Sequence, residues 1–515
     1  MRAATPGFAA GVEMGAVNTY NVWEASGLVA SRQNPGVLWT HNDSGYRGSV
    51  FALATNGAWL AQYQIPDIYS GDFEDISFGP GPLPHFQYLY LGDIGDNFLT
   101  RETLRVLRFP EPAASHYQSN APAFAPILEA QEILLRYPDG PFNCEAMMVD
   151  PITGDLFLAT KHTNTTRLYR ATRAELDGGG TVTLTFIREA AFRSVSAAEI
   201  SADGSLIALR RPGRGGLWVR QPGESVGDAL ARASGTIPVI GQPSEPNGES
   251  LGFDPTASGY YTLSEGYNQP VYFFARTDTG PPAPSVFVSP GAGWFYNDLG
   301  VPFDDTWRTD PGTEWPEGLA PLGYGSGEQT TVSYGGDLFK NSTTYFRRSF
   351  STTNTVTNLV LRVCFNDGLA VYLNGTEILR RNLTPGAVFE DYATASNTNQ
   401  ARVWFSIPVN PALLTNGVNI IAAEVHRAAA DGPGLNFDLQ LVEAVLEPSP
   451  HFTGTRLTNG FYHAALAGPT GLRVRVDHSD GLPLWKTNRF LTLTNGVRGF
   501  QEAATNLFRA YRLAH

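Results

Sequence analysis

The sequence predicts an all-β protein: a five-bladed β-propeller, six-bladed if a loop hides one repeat, followed by a β-sandwich and a small β-rich C-terminal module. Three observations carry that expectation. Glycine (54 residues) and proline (36) are plentiful while charged residues make up 17%, a mix suited to short strands and tight turns. A strand-rich unit of roughly 50 residues recurs through the first half of the chain. Apolar runs punctuated by turn dipeptides fill most of the second half.

At 515 residues the chain exceeds one ordinary core. The composition shifts divide it into a propeller over 1–277, a Pro- and Gly-rich linker over 278–291, a sandwich over 292–447 and a C-terminal module over 448–515. The net charge of −13 argues against non-specific nucleic-acid binding. No apolar run is long enough to span a membrane. Cys144 and Cys364 fall in different units, which disfavours a disulfide framework or a thiolate zinc site. The opening "MRAATPGFAAGVEMG" lacks the apolar core of a signal peptide.

The repeat is read element by element. Each copy opens on a glutamate at a short apolar strand: Glu24 in "WEASGLVAS", Glu74 in "DFEDISFG", Glu145 in "NCEAMMVD", Glu199 in "SAAEISAD" and Glu249 in "NGESLGFD". A second strand ends in a polar group: Asp43 after "VLWTHN", Asp93 in "YLYLGD", Lys161 after "LFLAT", Arg210 and Arg211 in "LIALRR", Glu265 after "YYTLS". A third strand follows, as in "SVFALAT" or "PVYFFAR". One such sheet cannot bury both faces, so the copies must pack side by side in a ring. The last copy lacks an outer strand, and "GVEMGAV" near the N-terminus is placed to supply it. In a ring the five glutamates would gather at one mouth, with the second-strand ends beside them.

Several residues then become candidates for chemistry. Asp72, Glu74, Asp75, Asp93 and Asp96 crowd one copy and offer the oxygen donors that calcium requires, calcium being the candidate cofactor. The bland alternative is that Asp93 and Asp96 bond loop amides. Glu74, Glu145 and Glu249 are candidate catalytic acids or bases. A residue repeated in every copy is more often structural, and that reading is preferred. Asp43, Lys161, Arg210, Arg211 and Glu265 are candidate ligand contacts, the cations suiting a small anionic ligand. Neither a serine-hydrolase elbow in credible context nor a GKS-type phosphate loop is present.

The runs "WTHNDSG", "YLYLGDIGDN" and "EAMMVDPITGDLFLATK" resemble a group of secreted bacterial β-propeller proteins over residues 15–277. The same runs are distantly similar to esterase-like phytase propellers, in which acidic residues sit on inner strands. "YFRRSF" and "FNDGLAVYLNG" resemble a galactose-binding-like jelly roll over 286–446, with Asn366 where that family usually has an aspartate. "VRVDHSDGLPLWKTN" resembles a small C-terminal module of secreted proteins. These resemblances imply a secreted, extracellular protein. The function expected is binding of a glycan or another extracellular ligand at the propeller mouth. The alternative is a metal-assisted hydrolase, phosphoesterase-like or glycosidase-like, acting at the same place.

Overall fold

The computed structural model describes residues 5–443, apart from 44–47, 70, 84–85, 115–122, 128–129, 222, 279–284, 312–313, 326–327, 337–338, 353–355, 357, 397–402 and 433, and beyond 450 the backbone of six strands. Nearly all of the regular structure is β, with short helices at Arg173–Asp177 and Val226–Leu230. No helix among the described residues is long and apolar enough to cross a membrane.

Five sheets are built from the first 275 residues. The first holds Ala25–Ala30, Val37–Asn42, Ser49–Ala54 and Trp59–Gln64, with Ala123–Pro126 added in parallel at its edge. The second holds Phe73–Pro80, Gln87–Asp93, Leu104–Pro110 and Gln131–Arg136, with Thr181–Thr183 in parallel at its edge. Cys144–Val149, Leu156–Thr160, Thr166–Ala171 and Thr185–Ala190 form the third. Ala197–Ile200, Leu206–Arg211, Arg214–Val219 and Gly235–Ile237 form the fourth. The fifth joins Ser250–Phe253, Gly259–Leu263 and Pro270–Ala275 to Val12–Ala16 from the N-terminus, with Val12 opposite Phe273 and Ala16 opposite Pro270.

The first strand of each sheet is buried, but for Pro80 at the end of Phe73–Pro80, and packs against neighbouring first strands. Ala25–Ala30 meets Phe73–Pro80 and Ser250–Phe253; Cys144–Val149 meets Phe73–Pro80 and Ala197–Ile200; and Ala197–Ile200 meets Ser250–Phe253. Side chains alternate across each strand, so neighbours in sequence serve different cores. Trp39 lies in the core between the first and second sheets, and Leu38 in that between the first and fifth. Because both faces are covered, the strands read as continuous apolar runs rather than alternating ones. Gly27 permits the close approach: a Cβ there would lie 2.7 Å from the Ile76 amide nitrogen and 3.0 Å from Asp75 Cα.

Two further sheets lie face to face around one core containing Trp294, Phe346, Leu361, Leu369 and Phe437. Val286–Val288, expected within the linker, instead pairs with Leu435–Glu443 in one of these sheets, while 279–284 of that linker lie outside the described residues. Tight turns follow Asn366 and Leu373, with Asp367, Asn374 and Gly375 at φ of 64°, 50° and 79°. Contacts join this part to the first and second sheets. Trp404 Nε1 donates to Asn34 Oδ1 at 2.6 Å, and Phe86 meets Phe405 edge-on at 5.5 Å. Cys144 and Cys364 are buried free thiols. At the C-terminal end the six strands form two three-stranded sheets.

Candidate functional site

A repeated backbone bond defines one end of the five-sheet unit. The residue just past the second strand donates its N–H to the residue just before the first strand: Asp43 to Glu24, Ile94 to Asp72, Lys161 to Asn143 and Glu265 to Asn247, at 2.9, 3.1, 2.9 and 3.3 Å. Acids and one lysine therefore converge where the first strands begin and the second strands end. Asp43, Asp72 and Glu74 come closest, each offering a carboxylate oxygen within 4.8 Å of the others.

Glu74 is only 3% exposed, and its carboxyl has no hydrogen-bond partner among the described residues. Burial, then the charges of Asp43, Glu145, Asp72 and Glu249, push it up to about 11. Asp43 is raised to about 7 by burial and by Asp72, Glu265, Glu24 and Glu145, and its Oδ1 is buried without a partner among the described residues. Glu249 is raised to about 8 by burial, against the opposing pull of Lys161 and with Glu145 and Glu265 adding to the rise. Burial would lower the Lys161 ammonium, yet its bond to Glu145 and the charges of Glu145, Glu249 and Glu74 hold it above its usual value. Seven carboxyls thus crowd this end, Glu24, Asp43, Asp72, Glu74, Glu145, Glu249 and Glu265, with Lys161 set against Glu145, Glu249 and Glu74 and Arg101 against Asp72.

Other predicted residues are committed elsewhere. Asp75 points into the packing between sheets and accepts from Ile76 N, Met147 N and Ala198 N at 2.9, 2.8 and 3.3 Å. Asp93 sits one residue before Ile94, so its side chain takes the opposite face; it accepts from Asp72 N at 3.0 Å and pairs with Arg101 at 2.9 Å and Arg105 at 2.6 Å. Asp96 accepts from Thr100 N and Arg101 N at 2.9 Å each, the loop-amide role weighed against a metal. Of the five acids expected around a cation, only Asp72 and Glu74 meet, and their third partner is Asp43, expected as a ligand contact.

The basic side of the expected clamp is also absent from this end. Arg210 is fully buried, pairs with the buried Glu245 and donates to Ser250 O. Arg211 is half-buried at the end of its strand, opposite Arg214. Lys161 remains, tied to Glu145. The glutamates do not form a ring of equivalents either. A shared hairpin bond runs from the amides of Ser31, Asp150, Ser201 and Asp254, and five residues back from each stand Ser26, Glu145, Ser196 and Glu249. Glu199 therefore lies three positions deeper, fully buried, with Arg32 and Asp75 as its charged neighbours.

Sequence reasoning passed over the aromatic rim. Trp23 precedes Glu24, Tyr267 follows Glu265 by two residues, and the Gly266 N–H donates to Trp23 O at 2.8 Å. The Trp23 and Tyr267 rings stack at 6.0 Å and 14°, and Tyr20 meets Tyr267 edge-on at 5.8 Å. The available signal was adjacency: both flanking aromatics border glutamates already singled out.

No protein-family model matches the chain, and no curated protein matches it. Among solved structures it is similar to a β-glucuronidase of Bifidobacterium dentium complexed with coumarin-3-O-glucuronide, at 13% identity and a TM-score of 0.23, over 45% of this chain and 44% of that one. A β-glucuronidase from Ruminococcus gnavus in complex with uronic deoxynojirimycin matches at 12% identity and 0.22, over 45% and 41%. A nidogen/laminin complex matches at 11% and 0.29, over 47% and 73%. The chain spans less than half the length of these β-glucuronidases. Likenesses at such scores carry no argument about its fold or its chemistry.

Proposed function

We propose that the five sheets are the blades of a five-bladed propeller, and that the protein is an extracellular binding protein whose acidic mouth engages a glycan with the help of a bound calcium ion. The cyclic packing of the first strands and the N-terminal strand completing the fifth sheet support the propeller. The observation that carries the mouth is Asp43, whose buried Oδ1 has no partner among the described residues, clustered with Asp72 and the buried Glu74. A protein does not bury such a group cheaply unless a cation or ligand meets it. The donor set is all oxygen, which suits calcium or magnesium and not a thiolate metal. Three carboxylates leave most of a calcium shell open to water and ligand hydroxyls, and that is the chemistry the ion would supply. The expected anion clamp has no support, because Arg210 is buried and Lys161 is held by Glu145.

Calorimetric titration of the full chain with calcium tests this reading, together with a Glu74→Gln, Asp43→Asn variant. Stoichiometric binding to the wild type and none to the variant is expected, followed by calcium-dependent capture on a glycan array. No calcium binding by the wild type would remove the ion from the proposal. A second reading, metal-assisted hydrolysis, draws on Glu249, whose carboxyl at about 8 titrates where a general acid or base is useful. Turnover of phosphate-ester or glycoside substrates, lost in Glu249→Gln, would favour it.

A further inference from the structure

The acidic mouth is bordered by rings that a folded protein has little reason to leave in water. Tyr20 is 84% exposed and Tyr267 54%. With Trp23 they form a shelf that the Gly266–Trp23 backbone bond fixes beside Glu24 and Glu265. Glu24 and Glu265 lie close enough to repel each other, and Glu24 Oε2 is buried without a partner among the described residues. Among the described residues Lys161, paired with Glu145, and Arg101, paired with Asp93, are the cations set against the seven carboxyls of this mouth, and the buried Glu74 faces the same crowd.

Resting on the glycan-binding reading, we infer that this shelf and the adjacent carboxyls form a subsite for an amine-bearing saccharide. Its ring lies on Tyr20 and Tyr267, and its ammonium meets Glu24 and Glu265. Ionised carboxyls only accept hydrogen bonds, so the matching ligand must be rich in donors. Charge complementarity then favours an ammonium over a hydroxyl, because a neutral sugar would leave the mutual repulsion of the acids in place. Aromatic faces attract cations within about 6 Å, adding to the same preference. An anionic sugar would meet repulsion from the carboxyls, with Lys161 and Arg101 already paired to Glu145 and Asp93.

The test is calorimetry on the full chain in calcium buffer with three tetrasaccharides: glucosamine, N-acetylglucosamine and glucose oligomers. The glucosamine oligomer is expected to bind about tenfold or more tighter than the other two, and to weaken as salt rises. Tyr20→Ala with Tyr267→Ala, and separately Glu24→Gln with Glu265→Gln, should each weaken it about tenfold; the exposed tyrosines can be removed without touching the core. Equal affinity for the acetylated oligomer would overturn the amine preference while leaving glycan binding intact. Binding unchanged in both variants would place the saccharide elsewhere and overturn the subsite. Failure of all three sugars alongside normal calcium binding would overturn the subsite and the glycan reading but not the ion.

Discussion

Glu74 and Asp93 are both side-chain carboxyls within one sheet, yet their surroundings differ. Asp93 is held by two arginines and a backbone amide, whereas burial and the surrounding carboxyls dominate at Glu74. At pH 7 Glu74 therefore holds its proton, and glutamine has nearly the shape and charge of that protonated acid. Glu74→Gln is accordingly expected to leave the Tm in EDTA within the scatter of neutral substitutions, about 0.5 kcal/mol. Calcium should raise the wild-type Tm and not that of the variant, because only the wild type can exchange its proton for an ion. Thermal melts with and without calcium check this. A variant several degrees less stable in EDTA would mean that Glu74 carries a structural bond instead. His41 illustrates the bland outcome: its ring accepts from Gly27 N at 3.1 Å and is lowered to about 4 by burial, so it belongs to the packing.

Among elements, the first strands carry most of the organisation. They are short, buried and close enough at Gly27 that any side chain would collide with the neighbouring backbone. Asp75 joins three of them, its carboxyl accepting amides from Phe73–Pro80, Cys144–Val149 and Ala197–Ile200. Asp75→Ala would leave those amides without an acceptor in a dry site, at a cost of about 2–4 kcal/mol. Urea denaturation should register it as a fall in midpoint. A change below about 0.5 kcal/mol would show that the sheets do not depend on this link. This role was not legible in "DFEDIS", where Asp75 looks like any other member of an acidic run. The strand itself was legible, as were its partners "YLYLGD" and "TLRVLRF", because apolar runs bounded by turn residues are local signals.

Across the whole molecule, buried carboxyls set the pH response. Asp43 at about 7, Glu249 at about 8, Glu111 at about 7 and Asp438 at about 7 all lie above their ordinary values, burial being the first cause in each. A group whose pKa is raised on folding contributes stability below its unfolded pKa and loses it as pH climbs through the folded one. His41, lowered to about 4, acts the other way: its contribution is present above its unfolded pKa of 6.5 and is lost as pH falls toward 4. Without calcium, the Tm should therefore decline from mildly acidic pH toward pH 8. Calcium should flatten the part due to Asp43, and leave the parts due to Glu111 and Asp438, which lie away from the mouth. Melts from pH 4 to pH 9 in EDTA and in calcium decide it; a Tm rising steadily to pH 8 in EDTA would contradict the assigned burial.

By itself the sequence determined the all-β character, the repeated sheet, the N-terminal strand completing the fifth sheet and the gathering of acids at strand ends. Each of these follows from apolar runs, turn chemistry and a repeat that the order of residues carries by itself. Only the tertiary structure decided which acids meet. A strand turns successive side chains to opposite faces, so the single position separating Asp93 from Ile94 sends that carboxyl to Arg101 and Arg105. Three positions likewise sink Glu199 away from Glu145 and Glu249. Asp43 reaches Asp72 and Glu74 because separate sheets pack side by side, a non-local contact that no run of adjacent residues encodes.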